Sequence, residues 1–254
     1  MTNIILCGCG GKMGQAIVRA AADSDQYRIV AGVDINADAT APVCPFPVYP
    51  TVTEFPGHAD VIVDFSHHTA LHGLLEYAKK TKTPLVIATT GHTEEEKAVM
   101  LQESQEVAVF FSGNMSIGIN LLIELAKNAA KTLGESFDVE IIEKHHNQKL
   151  DAPSGTALMI AEGIKEEREE TEYVFDRHAE RKKRESKEIG IHSIRGGTIV
   201  GEHEVIFAGY NEIISLTHTA TSREIFAVGA LRAAAYLKDK QQGLYNMSDL
   251  INGR

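Results

Sequence analysis

The sequence lacks the features that mark exported, membrane-spanning or nucleic-acid-binding proteins. Three cysteines in 254 residues cannot form a disulfide framework, and the first two flank a glycine instead of forming a C-x-x-C pair. No apolar run reaches the length needed to span a bilayer. The formal net charge of −10 argues against a phosphate-binding surface, which needs clustered Lys and Arg. The N-terminus enters a strand without a charged leader, so we expect a protein of the reducing cytoplasm.

A glycine-rich loop follows the first predicted strand. Residues 3–7 are rich in Ile and Leu, as in a buried parallel strand, and an alanine-rich helix follows the loop. The glycines have the spacing G-x-x-G-x-x-G, one residue longer than the usual dinucleotide fingerprint. They would permit a tight turn and a close approach of the backbone to a pyrophosphate, although plain turn glycines are the alternative. We predict that a dinucleotide contacts Gly8, Cys9, Gly10, Gly11, Lys12 and Met13.

Asp34 ends the next predicted strand, residues 28–34, about twenty residues beyond the last glycine of the loop. A Rossmann unit places at this point the carboxylate that binds the adenosine ribose hydroxyls. The alternative is an ordinary strand-end residue. Lys12 could meet a 2′-phosphate, and the uncharged Ile35 follows the acid. The sequence therefore predicts use of both NADH and NADPH, with NADH at least as good.

Predicted strands alternate with helices through the first half of the chain, at residues 60–66, 84–88 and 107–111. This order predicts a Rossmann-type, doubly wound parallel sheet whose ligand lies at the carboxyl ends of the strands. Residues 36–57 hold five of the seven prolines and are expected to be irregular. Thr93 and Glu96 predict a capping box. The histidines His67 and His68 are expected to be solvated loop residues.

The pattern changes after residue 116. Strands predicted at 189–195, 201–208 and 212–218, with a strand near 137–142, indicate a second α+β domain with a mixed or antiparallel sheet. A helix over 223–237 is expected to return to the first domain. The predicted domains are 1–116 with 222–254, for the dinucleotide, and 117–221, for substrate and oligomerisation. We expect the charged segment 165–188 to be a solvated excursion and the tail to add little.

Residues 140–157 read EIIEKHHNQKLDAPSGTA and concentrate groups that suit an anion. A helix is predicted to open just behind Pro153 and Ser154, and the free N–H groups of its first turn attract negative charge. His145, His146 and Lys149 would surround that point with proton donors. Solvated loop histidines are the alternative. No metal site is expected, because adjacent histidines diverge and no third ligand lies at suitable spacing.

This stretch closely resembles the signature of the dihydrodipicolinate reductase family (4-hydroxy-tetrahydrodipicolinate reductases), E-x-x-E-x-H-H-x-x-K-x-D-x-P-S-G-T-A. The resemblance covers the whole chain in length and motif order. It implies reduction of 4-hydroxy-tetrahydrodipicolinate to tetrahydrodipicolinate by NADH or NADPH, with loss of water, in lysine and diaminopimelate biosynthesis. It also implies a homotetramer built through the second sheet.

The resemblance implies roles for individual residues as well. His145 would be a proton donor or acceptor, and Lys149 a proton donor. The substrate dicarboxylate would be held by His146, Gly155 and Thr156. The nicotinamide side of the cofactor would be lined by Ala88, Thr89, Thr90, Ser112, Gly113, Asn114 and Met115.

Two other functions are compatible with a dinucleotide-binding domain. One is a different Rossmann dehydrogenase, acting on an amino acid or a sugar, which the eighteen-residue signature disfavours. The other is a non-catalytic sensor that closes on a bound dinucleotide. The proton donors of the signature argue against a sensor, because binding alone would not need them. Neither nucleic acid nor membrane is expected as a partner.

Overall fold

A computed structural model of the protein describes residues 1–168, 170–178 and 181–253. Its strands are β1 Thr2–Cys7, β2 Tyr27–Val33, β3 Val48–Tyr49, β4 Val61–Asp64, β5 Leu85–Ile87, β6 Ala108–Phe111, β7 Asp138–His145, β8 Glu172–Val174, β9 Glu188–Arg195, β10 Gly201–Gly209, β11 Glu212–Ala220 and β12 Gly243–Tyr245. Its α-helices are α1 Lys12–Ala22, α2 Ala37–Thr40, α3 Leu71–Thr81, α4 Glu94–Glu103, α5 Ile117–Leu133, α6 Gly155–Lys165, α7 Glu224–Leu237 and α8 Met247–Asn252.

The chain divides into two compact units, residues 1–117 with 224–254 and residues 118–223. The first unit contains a seven-stranded sheet in the order β12-β6-β5-β4-β1-β2-β3. Every neighbouring pair in this sheet is parallel. The order reverses direction at β1, which lies between β2 and β4. This is the doubly wound arrangement that the alternation of strands and helices predicts, and the predicted fold class is confirmed.

Both faces of the parallel sheet are covered, because its strands are apolar on both sides. Ile4 and Leu6 belong to a core shared with Ile17 of α1 and the small residues of α7. Ile5 and Ile62 belong to a second core with the leucines of α3. Burial on two faces explains why these strands read as continuous apolar runs instead of alternating ones.

The second unit contains a five-stranded sheet in the order β11-β10-β7-β9-β8. The strand β7 pairs antiparallel with β10 and parallel with β9, so the sheet is mixed. One face packs against α5 and α6, and its core includes Val139, Ile141, Ile160 and Val205. Along β7 burial alternates residue by residue from Asp138 to His145. The buried residues of the strand are therefore those that face the two helices.

The charged segment 165–188 corrects one expectation. Residues 172–174 form the edge strand β8. Arg177 donates to Glu140 at 2.9 Å and to Glu188 at 2.6 Å, and Arg184 donates to Asp138 at 2.7 Å. The prediction of a solvated excursion is wrong for these residues, since they are tied to the sheet by ion pairs. Residues 169, 179 and 180 of the segment lie outside the described residues.

The tail corrects a second expectation. The strand β12 pairs with β6 and extends the parallel sheet, and α8 follows with a capping box formed by Asn246 and Asp249. Met247 is buried in the core that α1 and α7 share. The tail therefore completes the edge of the sheet instead of adding little. Residue 254 lies outside the described part of the chain.

Candidate active site

The glycine loop of the first unit forms a tight cradle at the carboxyl end of β1. Gly8 has φ of +75°, and a Cβ there would lie 2.5 Å from the carbonyl oxygen of Phe65. A Cβ on Gly14 would lie 2.2 Å from the carbonyl oxygen of Gly8. Both positions exclude a side chain, which is the condition for a loop that brings its backbone to a ligand. The loop borders a cavity of about 900 Å³, a size typical of small-molecule and cofactor sites.

Asp34 faces this cavity from the end of β2. Its carboxylate accepts hydrogen bonds from the backbone N–H groups of Gly10 and Asn36, both at 3.0 Å. A carboxylate has about four acceptor positions, so two remain for ribose hydroxyls. Ile35 beside it is 91% exposed. The structure thus brings together the glycine loop and the acid that the sequence pairs with it.

The other loop residues differ in what they expose. Cys9 is fully buried against Gly32, and burial, with a further effect of Cys44, raises the pKa of its thiol to about 12. Only its backbone can serve a ligand. Lys12 is exposed at the first position of α1, and Met13 is half-buried.

A buried carboxylate joins two further strand ends. Asp64 accepts from the Ser66 hydroxyl at 2.5 Å and from the Thr89 hydroxyl at 2.7 Å. Burial raises the pKa of Asp64 although both hydrogen bonds lower it. The Thr89 hydroxyl is therefore committed to the protein. Its neighbour Ala88 is buried, whereas Thr90 is exposed.

The loop after β6 is held by its own side chains. The Ser112 hydroxyl donates to the carbonyl of Asn114 at 2.8 Å, and the Asn114 side chain accepts from Ser116 N–H at 2.9 Å. Gly113 is exposed, and Met115 is buried with its carbonyl oxygen against Gly229 of α7. A turn held by its own hydrogen bonds thus follows the strand at the residues for which the resemblance predicts contact with the nicotinamide side.

His67 is exposed, as expected of a solvated loop residue, whereas His68 is half-buried, which corrects the expectation for His68. His67 lines the 900 Å³ cavity, and its Nδ1 lies 2.9 Å from the Thr69 hydroxyl. His68 Nδ1 lies 2.9 Å from Glu96, whose pKa falls to about 2 chiefly through that contact. Glu96 also completes the predicted capping box with Thr93. The contact between His68 and Glu96 links the turn before α3 to α4.

In the second unit, polar side chains meet on the helix-covered face of the sheet at the end of β7. Glu143 pairs in register with His203 of β10, and His145 pairs with Arg195 of β9. Paired residues point to the same side of a sheet, so all four lie on one face. The ring centroids of His145 and His203 are 5.2 Å apart. His145 of β7 therefore has neighbours from two other strands, Arg195 of β9 and His203 of β10.

Glu143 is fully buried and lies at the centre of this group. It accepts from His145 Nδ1 at 2.5 Å, from Arg195 at 2.7 and 2.8 Å, and from Ser154 N–H at 3.1 Å. Burial alone would raise the pKa of Glu143, but the hydrogen bonds from Arg195, Ser193 and His145 bring it down to about 2. Burial lowers the pKa of His145, although the Glu143 carboxylate raises it. His145 therefore lies with Nδ1 against an ionised carboxylate.

The helix α6 begins where the signature predicts. Ser154 is its N-cap, and the Ser154 hydroxyl accepts from Ala157 N–H at 3.2 Å. The same hydroxyl lies 3.1 Å from Nε2 of His203, whose pKa is lowered to about 4 by burial and by the nearby His145. Gly155 follows at the first helical position, exposed and with open space around its Cα, and Thr156 is next.

Lys149 lies in the loop between β7 and α6. Its ammonium contacts the Asp151 carboxylate at 2.8 Å. The pKa of Asp151 is lowered, first by Lys149 and to a smaller extent by the backbone N–H of Gly155. A carboxylate of the protein therefore already sits between Lys149 and the start of α6. An ammonium has three N–H donors, so Lys149 keeps capacity for a second anion.

His146 contacts a residue that the sequence did not single out. Arg223 Nη2 donates to His146 Nε2 at 3.2 Å. Both residues line a cavity of about 330 Å³, together with Asn147, Gln148, Gly197, Thr198 and Val200. Arg223 adds a fixed positive charge to the loop that carries the signature.

Sequence reasoning assigned no role to Glu143, Ser154, Arg195, His203 or Arg223. Glu143 and Ser154 lie inside the signature. Glu143 and His145 are two residues apart on a predicted strand, and this spacing places both side chains on the same face, so their contact could have been predicted. The other three come from distant segments and gave no such signal. Within the described ranges, no group of three His, Cys, Asp or Glu residues could hold a metal ion. No helix among the same residues is long and apolar enough to cross a membrane.

Comparisons with known proteins cover both units. Residues 2–115 match the family model described as the N-terminus of dihydrodipicolinate reductase, and residues 118–251 match the model of its C-terminus. A 4-hydroxy-tetrahydrodipicolinate reductase of Caldanaerobacter subterraneus subsp. tengcongensis is 52% identical over 252 residues, 99% of this chain and 98% of that relative.

Solved structures are similar as well. The dipicolinate-bound dihydrodipicolinate reductase from Paenisporosarcina sp. TG-14 has a TM-score of 0.81 at 26% identity, covering 97% of each chain. The myo-inositol dehydrogenase from Lactobacillus casei, in complex with NAD(H) and myo-inositol, has a TM-score of 0.61 at 14% identity, covering 98% of this chain and 90% of that one. At 14% identity the second likeness concerns the fold alone.

Proposed function

The chain belongs to the dihydrodipicolinate reductase family, and from that premise we propose that it reduces 4-hydroxy-tetrahydrodipicolinate to tetrahydrodipicolinate with NADH or NADPH, releasing water, in lysine and diaminopimelate biosynthesis. One observation carries the proposal. In the second unit Lys149 and the backbone N–H of Gly155, at the start of α6, meet at one carboxylate, that of Asp151, and the buried His145 lies within electrostatic range of Lys149. A small dicarboxylate substrate needs such an anion position together with a proton donor.

The substrate carboxylate would bind where Asp151 now contacts Lys149. Asp151 has the same chemistry as the substrate group, which supports the assignment of an anion site. The N–H groups of Gly155 and Thr156 at the start of α6 would hold the carboxylate, and His146 would orient the ring.

A nicotinamide cofactor, when bound at the glycine loop and Asp34, supplies a hydride to the substrate. A Cβ at position 8 or 14 would clash with the protein's own backbone, so glycines permit this tight loop, and the loop and Asp34 line the same cavity, which fits such a ligand. The substrate carbon next to the reduced position then needs a proton. Lys149 directs its ammonium at the anion position, whereas Nδ1 of His145 is already held by Glu143. We assign the donor role to Lys149 and an acceptor role to His145.

An assay of the purified chain tests the proposal. The condensation product of pyruvate and aspartate semialdehyde is mixed with NADH or NADPH, and the loss of reduced-nicotinamide absorbance is followed. The expected result is oxidation of the cofactor that depends on the condensation product. A dehydrogenase of another substrate class would leave the cofactor reduced. A sensor would bind the dinucleotide without turnover.

The preferred cofactor is the subject of a separate prediction. Asp34 offers a carboxylate to the ribose hydroxyls, and a 2′-phosphate in the same place would be repelled. The next residue is the exposed Ile35, and Lys12 is the cation closest in sequence within the glycine loop. We expect dual use, with kcat/KM for NADH at least equal to that for NADPH. An advantage of about tenfold or more for NADPH would mean that Lys12 or another cation outweighs Asp34.

Assembly can also be tested. The face of the second sheet opposite α5 and α6 carries Ile142, Ile194, Ile206 and Ile213, and two of them, Ile194 and Ile213, are 46% and 68% exposed. These isoleucines alternate on this face with charged residues such as Glu140, Lys144 and Glu204, and the exposed apolar side chains among them favour association. We expect a homotetramer formed through this unit, and hence a light-scattering mass four times that of the chain. Ile206→Lys should yield smaller species, and a monomeric wild-type mass at micromolar concentration would contradict the prediction.

A further inference from the structure

The acceptors of Glu143 are already used by the protein. Two N–H groups of Arg195, the backbone N–H of Ser154 and Nδ1 of His145 all point to this one carboxylate, at 2.5 to 3.1 Å. A carboxylate accepts about four hydrogen bonds. Glu143 is also fully buried. It is therefore not available to touch a substrate, and any effect it has on the reaction must pass through the groups it holds.

These groups connect Glu143 to three parts of the signature, namely the end of β7, the loop with Lys149 and the start of α6. Through His145 it holds the end of β7, and through Ser154 it holds the N-cap of α6. Arg195 donates from Nη2 to the carbonyl of Asp151 at 2.6 Å, which ties the loop of Lys149 to the same centre. The pair of Glu143 and Arg195 thus joins the histidine, the lysine loop and the helix start.

The carboxylate also decides where His145 carries its proton. An ionised carboxylate only accepts hydrogen bonds, so the nitrogen facing it must be the protonated one. Arg195 contacts both oxygens in the bidentate geometry that favours ionised Glu143. The opposite nitrogen, Nε2, then carries a lone pair. It lies beside Gly201, where a Cβ would come within 3.2 Å of it.

We infer that Glu143, held by Arg195, is a positioning residue that keeps the proton of His145 on Nδ1 and presents Nε2 as a hydrogen-bond acceptor to the reacting ligand. The inference rests on the proposed function and refines it. His145 with this tautomer can receive a hydrogen bond or a proton at Nε2 but cannot give one. The proton donor must then be another group, and Lys149 carries that role.

The wild-type protein provides the first test, without any substitution. Nitrogen-15 spectra of labelled histidines distinguish the two neutral tautomers, and a His145→Gln variant assigns the signal. At neutral pH we expect His145 to be neutral with its proton on Nδ1. A proton on Nε2, or a doubly protonated ring, would overturn the inference even if the substitutions below failed to fold.

Glu143→Gln provides the second test. An amide cannot accept from Arg195 with both of its atoms and also accept from His145. With its oxygen toward Arg195 and its NH₂ toward His145, it would donate to Nδ1 and move the proton to Nε2. We expect that tautomer change and a fall in kcat of about 10²-fold or more, the kind of loss seen when a catalytic histidine takes the wrong tautomer. The KM for NADH should change little, because the glycine loop is untouched.

A matched control removes a different glutamate of the same unit. Glu162 lies on α6 and accepts from the Tyr173 hydroxyl at 2.8 Å, outside the group around Glu143. Glu162→Gln should leave the tautomer of His145 unchanged and kcat within about threefold. A folded Glu143→Gln protein with unchanged kcat and tautomer would overturn the inference, as would a loss of kcat without a tautomer change. Failure of the proposed function would differ, since the wild type would then show the expected tautomer but no turnover.

Discussion

Lys149→Ala is expected to lower kcat by about 10²–10⁴-fold, the usual range for the loss of a general acid. The lysine is the cation that contacts the Asp151 carboxylate beside the start of α6, and His145 is held as an acceptor. The glycine loop and Asp34 belong to the other unit. The KM for NADH should therefore stay nearly unchanged, and steady-state kinetics with each substrate varied in turn would separate the two effects.

The competing role for Lys149 is charge neutralisation alone. In that case the substitution would raise the KM for the dicarboxylate strongly and leave kcat at saturating substrate nearly intact. Lys127→Ala is the matched control, because it removes another ion-paired lysine of the same unit, which contacts Glu166 at 2.5 Å. Its kcat should remain within about threefold of the wild type.

A double substitution shows whether His145 and Lys149 act in the same proton transfer or in separate roles. If His145 and Lys149 act on the same proton transfer, the combined loss in Lys149→Ala with His145→Ala will be smaller than the product of the single losses. If His145 only accepts a hydrogen bond from the ligand, the loss of kcat in the double variant will be close to the product of the two single losses. The kinetics of the four proteins measured together decide between these outcomes.

Gly10→Val is expected to raise the KM for NADH by about 10²-fold, with kcat at saturating NADH little changed. A Cβ at this position would lie 2.6 Å from the Thr40 hydroxyl and 2.8 Å from Asp34 Oδ2. The carboxylate would have to leave the Gly10 N–H that it now accepts from at 3.0 Å. Losing two charge-assisted hydrogen bonds to the ribose costs about 3 kcal/mol, which corresponds to roughly a hundredfold in affinity.

The control for Gly10→Val is a substitution to valine at the other end of α1, away from the glycine loop. Ala22 is exposed at the last position of α1, so Ala22→Val should leave the KM for NADH within about threefold. Thermal melting of both variants checks that the fold is kept. A folded Gly10→Val protein with an unchanged KM for NADH would show that Asp34 does not bind the cofactor ribose.

Local patterns in the sequence determined much of this protein. The capping box of Thr93 and Glu96 and the start of α6 behind Ser154 are both present as predicted. Such features depend on residues three or four positions apart, whose contacts follow from helix geometry alone. The alternation of strands and helices likewise predicted the parallel sheet, because buried parallel strands are apolar on both faces. The signature was sufficient to identify the family.

Only the tertiary structure decided which distant residues complete the site. Arg195 reaches Glu143 across 52 residues of sequence, and His203 meets Ser154 across 49. The first contact depends on the register between β7 and β9, and the second on the packing of the start of α6 against β10, and no single strand pattern specifies either. The ion pairs of Arg177 and Arg184 and the pairing of the short strand β12 could not be predicted from the sequence for the same reason. These segments are stabilised by partners on the folded sheet, and the sequence of a short segment alone does not identify those partners.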